Sequence, residues 1–159
     1  DAWAADTGAT FGIGNKHTGY YNRKYIPRKG DLNTGDQNLT NPNNYRAIRF
    51  ADVLLMAAEA YNRGGIDDSK ALSYLNRVRA RAFGNTDHAV SSTGAALTEA
   101  IAHERRVELV GEGHRFFDLV RTGKGTLIPG FTANKNEVFP IPFEEIQFAN
   151  GNWAQNPNY

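Results

Sequence analysis

The chain has 159 residues, 40% apolar and 22% charged, with 18 basic against 17 acidic side chains and a formal net charge of +1. That size and composition fit one globular domain able to bury a real core, and they exclude a disordered chain. The balanced charge gives no reason to expect nucleic acid or an acidic membrane as partner, and the lack of cysteine excludes disulfides, thiolate catalysis and zinc–thiolate sites.

No apolar run approaches the roughly 18 residues of a membrane span. The chain opens DAWAADTGATFG, without an initiator methionine or a signal-peptide pattern, and is expected to be a piece of a longer protein.

Residues 1–44 form a loop- and strand-rich segment, rich in Gly, Asn, Thr, Asp and aromatics. TGYYNRKYIP (18–27) alternates enough for a strand, and KGDLNTGDQNLTNPNN (29–44) is turn chemistry throughout. From Tyr45 the pattern becomes helical, and residues 45–159 read as a helical scaffold with an extended tail. YRAIRFADVLLMAAEAYNR carries Ile48, Ala51, Leu55, Ala58 and Tyr61/Asn62 at helical spacing until Gly64-Gly65 stops it. Asp67, Asp68 and Ser69 offer caps for a second helix, whose positions Ala71, Leu72, Leu75, Val78 and Ala82 face one way. The two helices make a hairpin like one tetratricopeptide unit, and a lone unit leaves an apolar face in need of neighbours. After a polar linker, a third helix is expected from about Leu97 to Val110 and a short fourth at RFFDLVRTG. KNEVFPIPFEEIQFANGNWAQNPNY reads as a strand into a Pro-fixed turn, a helical turn at FEEIQF, and an extended tail with Trp153 as its anchor.

The stretch HERRVELVGEGHRFFDLVR (103–121) concentrates acids, histidines and arginines as an active site would. A metalloprotease helix needs two histidines at i and i+4, but Val107 stands where the second belongs after His103-Glu104. No Glu-x-x-His pair for a di-metal site occurs on these helices, so no metal is expected. A glycosidase carboxylate pair can come from distant segments and is harder to dismiss. Yet Glu104, Glu108 and Glu112 share one stripe with Leu97 and Ile101, on a core-facing side where a charge must be paired. Arg105, Arg106, Arg115, Arg77, Arg79 and Arg81 are candidate partners, and a planar guanidinium bonds a carboxylate in two places. Asp118 and Arg121 add an i, i+3 pair. We therefore expect a structural ion-pair lattice of Glu104, Arg105, Glu108, Glu112, Arg115 and Asp118. Phe116 and Phe117 lie about 100° apart on the fourth helix, so at least one is core.

Five ordered blocks then carry a resemblance: RFADVLLMAAEAYNRGG, ALSYLNRVRARA, IAHERRVELVGEGHRFFDLVRTGKG, VFPIPFEEI and the terminal QNPNY. Together, over about residues 45–159, they resemble the C-terminal region of the SusD/RagB family of nutrient-binding outer-membrane lipoproteins. The resemblance implies a mainly α fold with tetratricopeptide-like helix pairs, placed on the cell-surface face of a Gram-negative outer membrane. It further implies a lid over a SusC-like TonB-dependent transporter that binds glycans, or peptides in some members, and passes them on without chemistry or cofactor. The lipid anchor of such proteins sits on an N-terminal cysteine that this chain lacks. In this family the charged helix belongs to the scaffold, and ligand contacts come from variable loops. A helical scaffold serving only protein–protein contact is the alternative, and a carbohydrate-active enzyme comes third.

Sugar binding needs flat aromatic faces and short polar side chains. The N-terminal segment supplies Trp3, Phe11, His17, Tyr20, Tyr21 and Tyr25 among Asp6, Asn15 and Asn22. Trp3, His17 and Tyr20 are the candidate ligand residues. The competing reading packs the tyrosines onto the helices as a strand.

Overall fold

A computed structural model describes residues 44–159, together with Trp3–Ala4, Tyr21–Asn22, Lys24–Tyr25 and Gly35. The chain divides into two compact units, Asp1–Glu112 and Gly113–Tyr159.

The first unit is built on three helices: α1 (Phe50–Arg63), α2 (Asp68–Phe83) and α3 (Gly94–Glu108). α1 and α2 form the expected hairpin. Asp67 caps α2 by accepting from the Lys70 amide at 3.0 Å, and Gly84 ends it at φ 76°, a left-handed conformation that costs glycine little. Asp68 does something the cap motif did not announce. Its Oδ1 accepts from Asn62 Nδ2 (2.7 Å) and its Oδ2 from the Gly94 amide (2.6 Å). Asn62 Oδ1 in turn accepts from Thr98 Oγ1 at 2.6 Å. One polar staple thus ties the end of α1 to the starts of α2 and α3, and it satisfies a helix N-terminal amide that the Thr93 side chain leaves alone.

The core is the apolar face these helices share: Leu54, Leu55, Ala58, Ala71, Leu75, Val78, Leu97 and Ile101. Leu55, Leu75 and Leu97 are fully buried, each a stabilisation of about 1.5–3 kcal/mol relative to exposure. The linker after α2 is pinned by Asn76, whose amide gives and takes one hydrogen bond with the Val90 backbone (2.9 and 2.8 Å) as a strand neighbour would.

Two expectations for these helices are corrected. α1 begins at Phe50, not Tyr45, and Ile48 lies exposed rather than in the core stripe. Residues 45–49 run into Arg49 with extended geometry (φ −132°, ψ 160°), because the Arg49 side chain is drawn to carboxylates at the far end of α3. Ala82 is exposed, since the α2 core stripe closes at Val78. α1 is also apolar on its outer side, where Val53, Met56 and Ala60 remain exposed.

Near the chain start, β1 (Trp3–Ala4) pairs antiparallel with β2 (Tyr21–Asn22), Trp3 opposite Asn22. The remainder of the expected 18–27 strand, apart from Lys24 and Tyr25, lies outside the described residues.

The second unit holds α4 (His114–Arg121), a 3₁₀ turn at Gly125–Leu127 and α5 (Phe143–Phe148). Leu119 is its buried apolar side chain among the described residues. Phe116 is half-buried, with ring contacts to Phe117 and Phe139, while Phe117 is exposed. KNEVF is not a strand. Residues 132–138 turn on themselves, Asn136 Oδ1 accepting from the Thr132 amide (2.6 Å), a local side-chain bond that competes with a ladder. Nor does Trp153 anchor the tail, being 55% exposed. The anchor is polar. Gln155 brackets Ile141 with two hydrogen bonds (2.8 and 2.9 Å), Asn156 donates to Phe139 O (2.6 Å), and the Tyr159 hydroxyl donates to Val138 O (3.0 Å). Ile141 stands between Pro140 and Pro142, which have no N–H, so an amide side chain serves it where no ladder forms.

Candidate functional site

Glu108 is the last residue of α3, and its carbonyl is one of the acceptors a helix end leaves open. Lys24 Nζ (2.6 Å) and Arg49 Nη2 (2.7 Å) donate to it, setting two cations at the negative pole of the helix. The Glu108 carboxylate accepts from Arg49 Nη1 and Arg81 Nη2, each at 2.5 Å. Glu112, in the turn just beyond, accepts from Arg49 Nε (2.7 Å) and Nη2 (2.8 Å) in a two-point bridge, and from Lys24. Arg49 therefore clamps the entrance of α1 to the exit of α3.

Around this clamp opens a cleft of about 280 Å³. Among the described residues, Lys24, Arg46, Arg49 and Arg81 line it against the carboxylates of Glu108 and Glu112. Val107 and the half-buried Tyr25 also line it. The Tyr25 ring lies nearly parallel to that of Tyr45, 13° between planes and 6.3 Å between centroids.

Burial works against the charged forms of Arg49 and Glu112, yet their mutual hydrogen bonds and attraction outweigh it. The Arg49 pKa is raised by Glu112 and Glu108, and the Glu112 carboxyl is held below the usual carboxylate range by Arg49 and Lys24. A general acid at a glycosidic bond needs the opposite shift. Glu112 is tuned to stay ionised.

Two further pairs join the same helices. Asp52, in the first turn of α1, meets Arg105 Nη1 at 2.8 Å, both side chains 6% exposed. Glu104 meets Arg79 Nη1 at 2.6 Å, while Arg79 Nε donates to His88 O at 2.7 Å. Of the six residues named for the lattice, Glu104, Arg105, Glu108 and Glu112 lie in this cluster. Arg115 and Asp118 belong to α4 in the other unit, where Arg115 is exposed and Asp118 pairs with Arg121 at 2.7 Å. Lys24, Arg49 and Asp52 were missed by sequence reasoning. Asp52 alone carried a signal, being a carboxylate three residues before the core position Leu55. Arg77 stacks its guanidinium 5.5 Å from the Phe50 ring centroid, and Arg106 is exposed.

Trp3 is placed by its backbone in β1, and His17 and Tyr20 lie outside the described residues. Among the described residues no three His, Asp or Glu side chains are grouped to hold a metal.

The SusD family model matches residues 2–137. SusD-like protein P2 of Formosa agariphila is 31% identical over 79% of this chain, and SusD-like protein P25 of the same organism 34% over 79%. A crystal structure of a SusD homolog from Bacteroides thetaiotaomicron superposes with a TM-score of 0.64 at 35% identity over 74% of the chain, and a second with 0.61 at 30% over 70%. The chain spans about a quarter of these relatives' length, 28% and 26% of the two proteins and 26% of each structure.

Proposed function

The chain belongs to the SusD family, and from that membership we propose that it serves non-catalytic capture of nutrient glycans at the cell surface. The captured oligosaccharide passes to a SusC-like TonB-dependent transporter in the outer membrane, with the whole polypeptide held there by a lipid anchor. The family match carries this reading. The charge cluster supports it, because its acids are engaged by guanidinium groups instead of standing free for acid–base chemistry. Trp3, His17 and Tyr20 remain our proposed ligand residues, on the chemistry of aromatic stacking against sugar C–H faces.

A glycan array followed by calorimetry tests capture. Binding without turnover is expected, with Trp3→Ala weakening it. Release of shortened oligosaccharide would overturn the non-catalytic reading, and unchanged affinity would remove Trp3 from the site. A scaffold that meets only proteins is the second reading, favoured by the exposed apolar side of α1. Absence of any glycan on the array would favour it, and a peptide ligand would redirect the capture reading.

A further inference from the structure

We propose that Asn150, in the turn that closes α5, is a spontaneous modification site, where the side-chain amide is lost to give aspartate and isoaspartate. The reaction needs water but no enzyme. It also needs a following amide nitrogen that is sterically open, and a backbone able to turn that nitrogen onto the side chain.

The first need is met in the sequence. Asn150 is the one asparagine of the chain followed by glycine; every other is followed by a residue whose Cβ crowds the nitrogen. Beyond its chain neighbours, nothing lies within 4 Å of the place a Gly151 Cβ would take. The second need is met by the fold. Asn150 (φ 48°) and Gly151 (φ 80°) both stand at positive φ, and the Asn152 amide donates to Ala149 O at 2.9 Å. That is the pattern of a type I′ turn, which Asn-Gly favours. Both residues are exposed, and among the described residues no acceptor takes the Gly151 amide. Rotating the peptide opens one exposed hydrogen bond of the turn, which slows reaction by about tenfold at most.

The chemistry follows from these atoms. The Gly151 nitrogen loses its proton to solvent and attacks Asn150 Cγ. The Cγ–Nδ2 bond breaks, and the amide nitrogen takes a proton from solvent and leaves as ammonia, closing a cyclic succinimide. Water then opens the ring at either carbonyl. Breaking the new Cγ–N bond gives aspartate, while breaking the original peptide bond leaves the chain running through Cγ, an isoaspartate with one more methylene in the backbone. Either product is an acid and takes the formal net charge from +1 to zero. The change falls just ahead of the tail whose Gln155 and Asn156 hold Ile141 and Phe139.

Ageing the folded 159-residue chain at mildly alkaline pH tests this, read by isoelectric focusing and by peptide sequencing in a mass spectrometer. Asn150 should be the first asparagine lost, and Asn150→Gln should remove the first acidic isoform, since the longer side chain closes its ring more slowly. A parallel sample unfolded in guanidinium chloride sets the intrinsic rate. The folded chain should react within about tenfold of it, because local rotation suffices. A turn that reacted only after global unfolding would be slower by ~10³ or more, the size of a folding equilibrium constant. Earlier loss at another asparagine, or an acidic isoform formed equally fast in Asn150→Gln, would overturn the site. So would a folded chain slower than the unfolded one by more than about tenfold.

Discussion

Arg105 offers the sharpest test of how this charge cluster works. Its side chain is 6% exposed and bonds the equally buried Asp52 at 2.8 Å, joining the first turn of α1 to the last turn of α3. Changing Arg105→Met keeps much of the volume but strands the Asp52 carboxylate in a place water scarcely reaches. Breaking a buried pair in this way costs about 3–5 kcal/mol, because the surviving charge loses its compensation while its desolvation remains. For a chain of this length each kcal/mol moves the melting temperature by about 2–4 °C, so the midpoint should fall by roughly 6–20 °C. Calorimetry or circular dichroism at pH 7 reads it directly. The internal control is Arg63→Met, which opens the helix-surface pair with Glu59 (2.9 Å, Arg63 44% exposed) and should cost no more than about 0.5 kcal/mol. The double change Asp52→Leu with Arg105→Met should recover most of the loss, since removing both charges also removes the uncompensated one. Should Arg105→Met shift the midpoint no further than Arg63→Met, the burial argument is wrong for this cluster.

Other consequences follow from the same geometry. Glu112 has its folded pKa depressed, so its stabilisation is complete above the unfolded carboxylate value of about 4 and drains away as pH falls through the folded one; Glu112→Gln should flatten the fall in urea midpoint below about pH 4, and an unchanged slope would refute the assignment. Arg49 has its pKa raised, so its share persists throughout the neutral range and is lost only at strongly alkaline pH. Asn76→Ala abandons both backbone groups of Val90 and should cost about 1–3 kcal/mol, with faster amide exchange at Val90 as the local readout. Gly125→Ala puts a methyl 2.5 Å from the Phe131 ring, an overpacking cost of about 1–3 kcal/mol that Phe131→Leu should partly relieve in a thermal melt.

The helical core was legible because burial and period coincide: Leu55, Leu75, Leu97 and Ile101 lie on the stripes their spacing draws. Glu104 was legible for the same reason, as a charge on a core-facing stripe. What spacing along one helix does not reveal is the partner 50 or 60 residues away. Arg49 looked like one more residue of a continuous helix, and only its tertiary bonds to Glu108 and Glu112 explain why the backbone is still extended there. Lys24 sat in a segment read for its aromatics, so its charge drew no notice. The tail deceived differently: Trp153 has the greatest apolar area, but adjacent prolines leave a backbone that needs amide partners more than it needs burial. As for the proposed ligand residues, loop side chains carry no period, so spacing could name their chemistry and not their position.

The outer side of α1 bears on how this protein tolerates change. Its inner positions are fixed by the core, and its outer Val53, Met56 and Ala60 form a second apolar stripe facing water. A helix committed on both sides has almost no neutral positions left. Charged substitutions at Val53 or Met56 should make the 159-residue chain more soluble, and the same substitutions should impair any assembly in which another helix rests on that stripe. A screen for solubility alone would then select variants unfit for that packing, so sequence optimisation of α1 needs an assay that reads packing on the stripe as well.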